Sequence, residues 1–122
     1  MSKKRDVVRS IGYAIDGIKE ATLNEPNMKV HLGFTIAVTV FGFIFSISST
    51  EWLLITLCVA SVFILELLNT AIEAVVDLAS PKKHPKAKLA KDVAAGAVLV
   101  AAIASAIVGI FIFAPKIVSS IL

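Results

Sequence analysis

Four polar residues lie on one face of a predicted helix near the middle of the chain. They are Glu66, Asn69, Glu73 and Asp77, separated by three, four and four positions. Residues at these spacings stack along a helix, so the side chains form one stripe over about three turns. Three carboxylates on one stripe repel one another unless a cation joins them. The pattern therefore indicates a site for a metal ion or a phosphate-bearing ligand.

The residue types of this stripe limit which metal ions it could bind. Carboxylates accompanied by a lysine, without a Cys/His cluster, favour a hard cation such as Mg²⁺ over zinc. Mg²⁺ usually takes one or two protein carboxylates together with substrate phosphates. The chain contains no G-x-x-x-x-G-K-S/T loop and no kinase Gly-rich loop, which excludes the familiar soluble nucleotide-binding folds. The residues alone indicate a Mg²⁺–phosphate site but do not identify the reaction.

The stripe belongs to a chain whose composition predicts one all-α membrane domain over residues 1–122. Hydrophobic residues make up 57% of the chain and occur in long blocks, which is typical of helices surrounded by lipid. We predict spans at 31–47, 52–78 and 92–113. The second is one long helix because no Gly or Pro occurs between Trp52 and Ser80. Residues 80–91 are predicted to form a polar loop, and the third helix to stop at Pro115.

Residues 1–29 are predicted to form an amphipathic helix on the membrane surface. Apolar residues recur there at three- and four-residue spacing, and most charged residues occupy other faces. The apolar residues are Val7, Val8, Ile11, Ile15, Ile18 and Leu23. A soluble regulatory tail is the alternative interpretation. Pro26 is predicted to end or kink this helix because proline lacks a backbone donor and restricts the residue before it.

The polar stripe could be a functional site or merely a helix end exposed to solvent, and the depth of its residues in the membrane distinguishes the two interpretations. Asp77 could simply be solvated beyond the bilayer. Glu66 directly follows the apolar run that starts at Trp52, so it belongs near membrane depth, where a carboxylate is costly. Polar residues before the first span and Lys91-Asp92 at the third are predicted to lie at the same side. We therefore expect polar groups from three segments to converge there.

Basic residues predict the orientation in the cell membrane. The N-terminal stretch carries Lys3, Lys4, Arg5, Arg9, Lys19 and Lys29, and the second loop carries Lys82, Lys83, Lys86, Lys88 and Lys91. The first loop carries none, and the C-terminal tail has only Lys116. The positive-inside rule therefore places the N-terminus and the second loop in the cytoplasm and the C-terminus outside. No basic run is interleaved with aromatic residues, so a nucleic-acid partner is not expected.

The central motif resembles the signature of a known family. The stretch Glu66-Leu-Leu-Asn-Thr-Ala-Ile-Glu-Ala-Val-Val-Asp77 is similar to that of the prokaryotic diacylglycerol kinase family, small lipid kinases with three spans per subunit. The similarity extends to Gly12-Tyr13, Asn24-Glu25, His84 and Ala90-Lys91-Asp92. It implies a homotrimeric bundle with active sites shared between neighbouring subunits. It also implies transfer of the γ-phosphate of MgATP to the hydroxyl of a membrane lipid alcohol.

The same resemblance implies residue roles. Glu66 would be the general base that takes the proton from the lipid hydroxyl. Glu25 and Glu73 would hold Mg²⁺ on the phosphates, and Lys91 would neutralise phosphate charge. The other implied nucleotide-site residues are Tyr13, Asn69, Asp77, Lys82, Lys83, His84 and Asp92. These roles agree with phosphoryl transfer, which depends mainly on positioning and charge neutralisation.

Alternatives remain for the identity of the lipid substrate and for the functional class of the protein. The patterns Glu25-x-Asn27-x-x-x-His31 and Asp92-Val-Ala-Ala-Gly-Ala-Val resemble the Gram-positive branch, whose members are similar to undecaprenol kinases. Undecaprenol is therefore the implied substrate, with diacylglycerol as the alternative. A small pore former or accessory subunit would fit the size and basic ends but leaves the stripe unexplained. A cation- or proton-coupled transporter would need its carboxylate near the midplane, accessible from both sides.

Overall fold

Four helices account for nearly all of residues 3–122, which are the residues that the computed structural model describes. They are α1 (Lys3–Asn24), α2 (Pro26–Ile44), α3 (Ser49–Ala79) and α4 (Pro85–Ile121). The described residues contain no strand. The last three helices are long and apolar enough to cross a membrane. The predicted fold class, a membrane protein with three such helices after an N-terminal helix, is confirmed.

The junction between α1 and α2 is a single extended residue. Glu25 has φ −98° and ψ 116°, and Pro26 occupies the first turn of α2. Proline suits that position because its missing N–H would have no helical partner there, and it disfavours helical geometry in the residue before it. The prediction that Pro26 ends the first helix is confirmed. The next helix starts at once, so α2 begins before the predicted start of the span at residue 31.

A capping box starts α3, the helix that carries the polar stripe. The Ser48 hydroxyl accepts a hydrogen bond from the Glu51 backbone N–H, and the Glu51 carboxylate accepts one from the Ser48 N–H. This reciprocal pair satisfies two donors that a helix start leaves open. The helix then continues without interruption to Ala79, as predicted from the absence of Gly and Pro.

The bounds of α4 differ from the prediction at both ends. The connection before it is short, because the helix begins at Pro85 and the predicted loop over 80–91 is wrong for its second half. His84 caps this start, since its Nδ1 accepts a hydrogen bond from the Lys86 N–H at 3.1 Å. The helix also continues past Pro115 to Ile121. A proline inside a helix removes one backbone donor, and apolar helices tolerate this where neighbouring groups compensate.

Helices α3 and α4 form the main packing pair, and α2 and α1 join them along shorter surfaces. At the end where α2 turns into α3, Ile47, Ile55 and Ile112 form a buried cluster. We call this the Trp52 end. The opposite end, which carries Glu66, Asn69, Glu73, Asp77 and Lys91, is called the Glu73 end.

Large apolar side chains also point away from the bundle on every membrane-length helix. Phe34, Phe43, Leu57 and Phe111 are between 66% and 77% exposed. So much apolar surface is far more than a water-soluble chain of this size presents. It suits contact with lipid, and it agrees with the membrane location.

Candidate active site

Glu66 is the most deeply buried charged residue on α3 in the described chain. Only 1% of its surface is exposed, and it shares the inward face of the helix with Ile55, Val62 and Asn69. At 1.5 Å per residue it lies roughly 21 Å along the axis from Trp52. A hydrocarbon core is about 30 Å across, so with Trp52 at one interface Glu66 would lie within it, towards the Glu73 end. The depth of this carboxylate stays a prediction.

The buried polar atoms of this face lack partners. Neither carboxylate oxygen of Glu66, nor the side-chain oxygen of Asn69, has a hydrogen-bond partner within the described residues. Leaving a buried polar group unpaired costs about 1–3 kcal/mol, and more for a charged one. Such groups are rare in folded proteins and call for an explanation. A bound ligand that offers a hydrogen-bond donor or a cation to these oxygens would explain why they lack partners within the chain.

His31 is the charged or polar side chain that approaches Glu66 from α2. Its Nε2 lies 3.6 Å from Glu66 Oε2, just beyond hydrogen-bond distance, and its side chain is 18% exposed. The ring also meets the edge of Phe63, with the centroids 6.4 Å apart. In the sequence, His31 belongs to the polar residues before the first span and to the pattern of the Gram-positive branch, but it has no predicted role in the site. The available signal was a single imidazole within the apolar run of the first span.

Asn69 and Glu73 are joined along the stripe. The Asn69 amide donates a hydrogen bond to Glu73 Oε1 at 3.2 Å, one turn further along α3. This contact leaves the Asn69 oxygen free on the buried side and holds the half-buried Glu73 carboxylate. The predicted stripe therefore exists as one face of one helix.

Lys91 brings the start of α4 to the stripe. Its ammonium forms an ion pair with Asp77 and also interacts electrostatically with the nearby Glu73 carboxylate. Asp92 instead pairs with Lys88 at 2.5 Å, one turn back on the exposed surface of α4. The expected convergence is thus present for Lys91 and absent for Asp92. One ammonium faces the stripe's three carboxylates, which leaves an excess of negative charge.

Five other residues of the predicted site remain apart from the stripe. They are Tyr13, Glu25, Lys82, Lys83 and His84. Tyr13 is 71% exposed on α1, and the two lysines and His84 are exposed in or beside the connection before α4. None of the five forms a side-chain hydrogen bond or ion pair with the stripe in the part of the chain that the structure describes. Over the same residues, no three His, Cys, Asp or Glu side chains group as metal ligands.

A cavity of about 370 Å³ lies between α2, α3 and α4, and His31, the neighbour of Glu66, is one of the residues that line it. Its apolar lining includes Phe34, Val59, Phe63 and Ala106. It is suited to an apolar chain rather than to a polar metabolite. A molecule with a long hydrocarbon part and a hydroxyl end could place the hydroxyl at the carboxylate. A cation and its phosphate ligand could then meet the excess negative charge further along the stripe.

Comparison with known proteins agrees with this chemistry. The sequence profile described as "Prokaryotic diacylglycerol kinase" matches residues 12–113. The chain is 48% identical to the undecaprenol kinase of Bacillus subtilis (strain 168) over 108 residues, 88% of each protein. It is 40% identical to the diacylglycerol kinase of a Synechocystis species over 111 residues, 90% of this chain and 63% of the relative. It is 31% identical to the diacylglycerol kinase of Escherichia coli (strain K12) over 101 residues, 83% of each.

Proposed function

Because the chain belongs to the prokaryotic diacylglycerol kinase family, and is a lipid kinase of the membrane, we propose that it phosphorylates undecaprenol with ATP. The 48% identity to an undecaprenol kinase over most of both chains favours this lipid. Diacylglycerol is the second candidate, because two of the relatives described above are diacylglycerol kinases at lower identity. The observation that supports the chemistry best is a buried, unpartnered carboxylate next to His31, a residue that lines an apolar cavity.

Glu66 is the group to which we assign the role of general base. Its carboxylate takes the proton of the lipid hydroxyl while that oxygen forms a bond to the γ-phosphorus. The bond from the γ-phosphorus to the bridging oxygen breaks, and ADP leaves with the electron pair. Burial keeps water from competing as acceptor for the phosphoryl group. The unpaired oxygens of Glu66 support this assignment because one of them can accept the hydroxyl proton.

The stripe fits Mg²⁺ by the chemistry of its donors. Glu73 offers a half-buried carboxylate, and the Asn69 oxygen beside it is unpaired. We assign Glu73 and Glu25 as the residues that would hold Mg²⁺, which needs few protein ligands because phosphates complete its shell. When bound, the ion supplies positive charge to the phosphate oxygens. Glu73 therefore positions the donor end of the reaction, next to the base at Glu66.

Lys91 is the residue we assign to the phosphates. It is a flexible cation at the start of α4, and its pairing with Asp77 holds it over the stripe. An ammonium in this place can follow the transferring phosphoryl group and offset its charge. The remaining residues assigned to the nucleotide are Tyr13, Asn69, Asp77, Lys82, Lys83, His84 and Asp92.

We assign the assembly as a homotrimer whose sites combine residues of neighbouring subunits. Over the described residues, Glu25 and Tyr13 form no side-chain hydrogen bond or ion pair with the stripe of their own chain, so a second copy is a natural source of both. Mixing an inactive Glu66→Gln chain with an inactive Glu25→Gln chain should then restore part of the activity. Mixed trimers without any recovery would contradict shared sites.

The proposed orientation puts the Glu73 end at the cytoplasmic surface. Eleven of the twelve Lys and Arg residues lie in α1, the first turn of α2, and the segment around the α3–α4 connection. The positive-inside rule places these in the cytoplasm, where ATP is available. The apolar residues of α1 are exposed, Ile11 by 55% and Ile15 by 58%, which supports a place for this helix on the membrane surface.

The direct test is transfer of labelled γ-phosphate from MgATP to lipid in mixed micelles. The purified protein is offered undecaprenol and diacylglycerol side by side, and labelled lipid is quantified. We expect undecaprenol to be labelled faster. Preferred labelling of diacylglycerol would overturn the choice of lipid, and no labelling of either by folded protein would overturn the kinase reaction itself. The Glu66→Gln protein is the control for contaminating kinases.

A further inference from the structure

We propose that His31 is a positioning residue for Glu66: its Nε2–H holds Oε2 of the carboxylate and leaves Oε1 for the lipid hydroxyl. This proposal rests on the assignment of Glu66 as the general base. It adds a residue of α2 to a site otherwise built on α3 and the start of α4. His31 has no role in the sequence-based assignment of the site.

The geometry around Glu66 supports this role. Both carboxylate oxygens are buried and unpartnered within the described residues, and Nε2 of His31 is 3.6 Å from Oε2. A small rotation of either side chain shortens this to a hydrogen bond, which a neutral or a charged imidazole can donate. Lys91, the lysine of the stripe, is paired at Asp77, three turns further along α3. His31 is therefore the donor available at the depth of Glu66.

A base needs orientation as well as proximity. A carboxylate can turn about its terminal torsion, which is broad, so an unpaired Glu66 has several arrangements of its two oxygens. In catalytic groups built on a base, a third group commonly fixes the base in its working position. A hydrogen bond from His31 to one oxygen does this for Glu66. It also compensates part of the cost of burying the charge.

The hydrogen bonds of the other polar side chains in the cavity wall distinguish His31 from them. Thr35 and Ser105 also line the cavity, but their hydroxyls donate to the backbone carbonyls of His31 and Cys58. The imidazole of His31 is directed towards Glu66 instead. His31 thus both lines the apolar cavity and faces the carboxylate. A lipid alcohol in this cavity would present its hydroxyl beside the oriented oxygen.

A purely structural role makes the opposite prediction for substitutions. The ring of His31 packs against the edge of Phe63, and an apolar side chain could preserve that contact. If packing were the whole role, His31→Leu and His31→Phe would retain activity, and His31→Gln would lose more. If donation to Glu66 is the role, Gln is the better replacement. Its amide nitrogen is as many bonds from the backbone as Nε2 of histidine.

The experiment measures kcat and KM for lipid phosphorylation by the full-length protein in mixed micelles. His31→Leu and His31→Phe should lower kcat about 100-fold, the size of effect that misplacing a catalytic group can have. The KM for MgATP should stay unchanged, and His31→Gln should restore most of kcat. Thr39→Val is the matched control, since this α2 hydroxyl donates to the Thr35 carbonyl and should be dispensable.

Two results would overturn the proposal. One is a kcat of His31→Leu or His31→Phe equal to that of the wild type. The other is an equal loss in His31→Gln and the apolar variants, which would remove hydrogen-bond donation as the cause. Failure of the proposed function is a separate result, because it would appear as a wild-type protein that labels no lipid.

Discussion

The carboxylates at the two ends of the bundle differ in whether their hydrogen bonds are complete. At the Trp52 end, the Glu51 carboxylate accepts hydrogen bonds from the Ser48 N–H and from the Lys116 ammonium, the latter at 3.0 Å. Three aromatic rings pack against one another at the same end, those of Phe41, Phe45 and Phe113. At the Glu73 end, the oxygens of Glu66 are buried without partners in the described residues.

This difference teaches how a small membrane protein separates stability from chemistry. A carboxylate whose hydrogen bonds are complete holds helices together, and it has little capacity left for a ligand. A buried carboxylate with open hydrogen-bonding capacity weakens the isolated chain but is available to a substrate. Substitutions at the Glu73 end should therefore change activity, and substitutions at the Trp52 end should change stability.

The largest effect is expected from Glu66→Gln. Loss of the base should lower kcat by about 10²–10⁴-fold, the usual contribution of general base catalysis. Binding of MgATP should persist, because the amide keeps the shape of the side chain and the nucleotide residues lie elsewhere. Single-turnover phosphorylation and equilibrium nucleotide binding measure the two properties. Turnover at the wild-type rate would remove Glu66 from the role of base.

Glu73→Gln should produce the next largest effect. The loss of a metal-binding carboxylate should weaken Mg²⁺-dependent nucleotide binding roughly 10- to 100-fold, as changes around metal sites commonly do. The measurement is a titration with Mg²⁺ at fixed ATP, followed through activity. Asn69 is expected to remain in place because Gln can still accept its hydrogen bond. An unchanged Mg²⁺ requirement would contradict the assignment of Glu73.

Gly42→Ala should destabilise the Trp52 end. A Cβ at this buried glycine would lie 2.5 Å from the Trp52 ring, so the ring or the helices would have to shift. Overpacking of this kind costs typically about 1–3 kcal/mol. Thermal unfolding in detergent measures it, with activity per folded molecule unchanged. Gly33→Ala is the matched control on the same helix, because a Cβ there meets no atom within 4 Å. Equal unfolding temperatures for the two variants would refute the close contact.

Glu51→Gln should have the smallest effect. The amide can still cap α3, but it leaves the Lys116 ammonium without its carboxylate. Exposed and half-exposed ion pairs contribute little, so we expect a small decrease in Tm that raised salt reduces. Phosphorylation should be unaffected. A large loss of activity with normal folding would show that the two ends are not separate in function.

The helical periodicity of the stripe and the absence of helix breakers in α3 predicted the placement of Glu66, Asn69 and Glu73 on one face. The approach of Lys91 followed from topology, because a short connection joins the end of α3 to the start of α4 at one end of the bundle. The start of α4 at Pro85 was missed, although proline is common in the first turn of a helix. The lysines that follow Pro85 made the segment resemble a loop. Hydropathy detects the part of a helix that faces lipid, but it does not detect a polar part of the same helix that extends beyond the bilayer.

His31 shows the limit of sequence patterns for site residues. A single imidazole in an apolar run has no period, and its meaning comes from the residue that α3 places opposite to it. That contact depends on how α2 and α3 pack, which no local pattern encodes. Similarly, the partners proposed for Glu25 and Tyr13 would belong to neighbouring subunits, which no pattern within one chain describes. Local chemistry and helix register were therefore predictable, and contacts between helices were predictable only where topology forced them.

The length of α3 gives the bilayer itself an influence on the reaction. Its 31 residues extend about 46 Å, well beyond a hydrocarbon core of about 30 Å. Trp52 is suited to the lipid–water interface and would set the level of one end, so a thicker or thinner membrane changes how deeply Glu66 is immersed. Hydrophobic mismatch of this kind costs fractions of a kcal/mol per Å. We therefore expect the acyl-chain length of the host lipid to change the rate of phosphorylation, whichever lipid is the substrate.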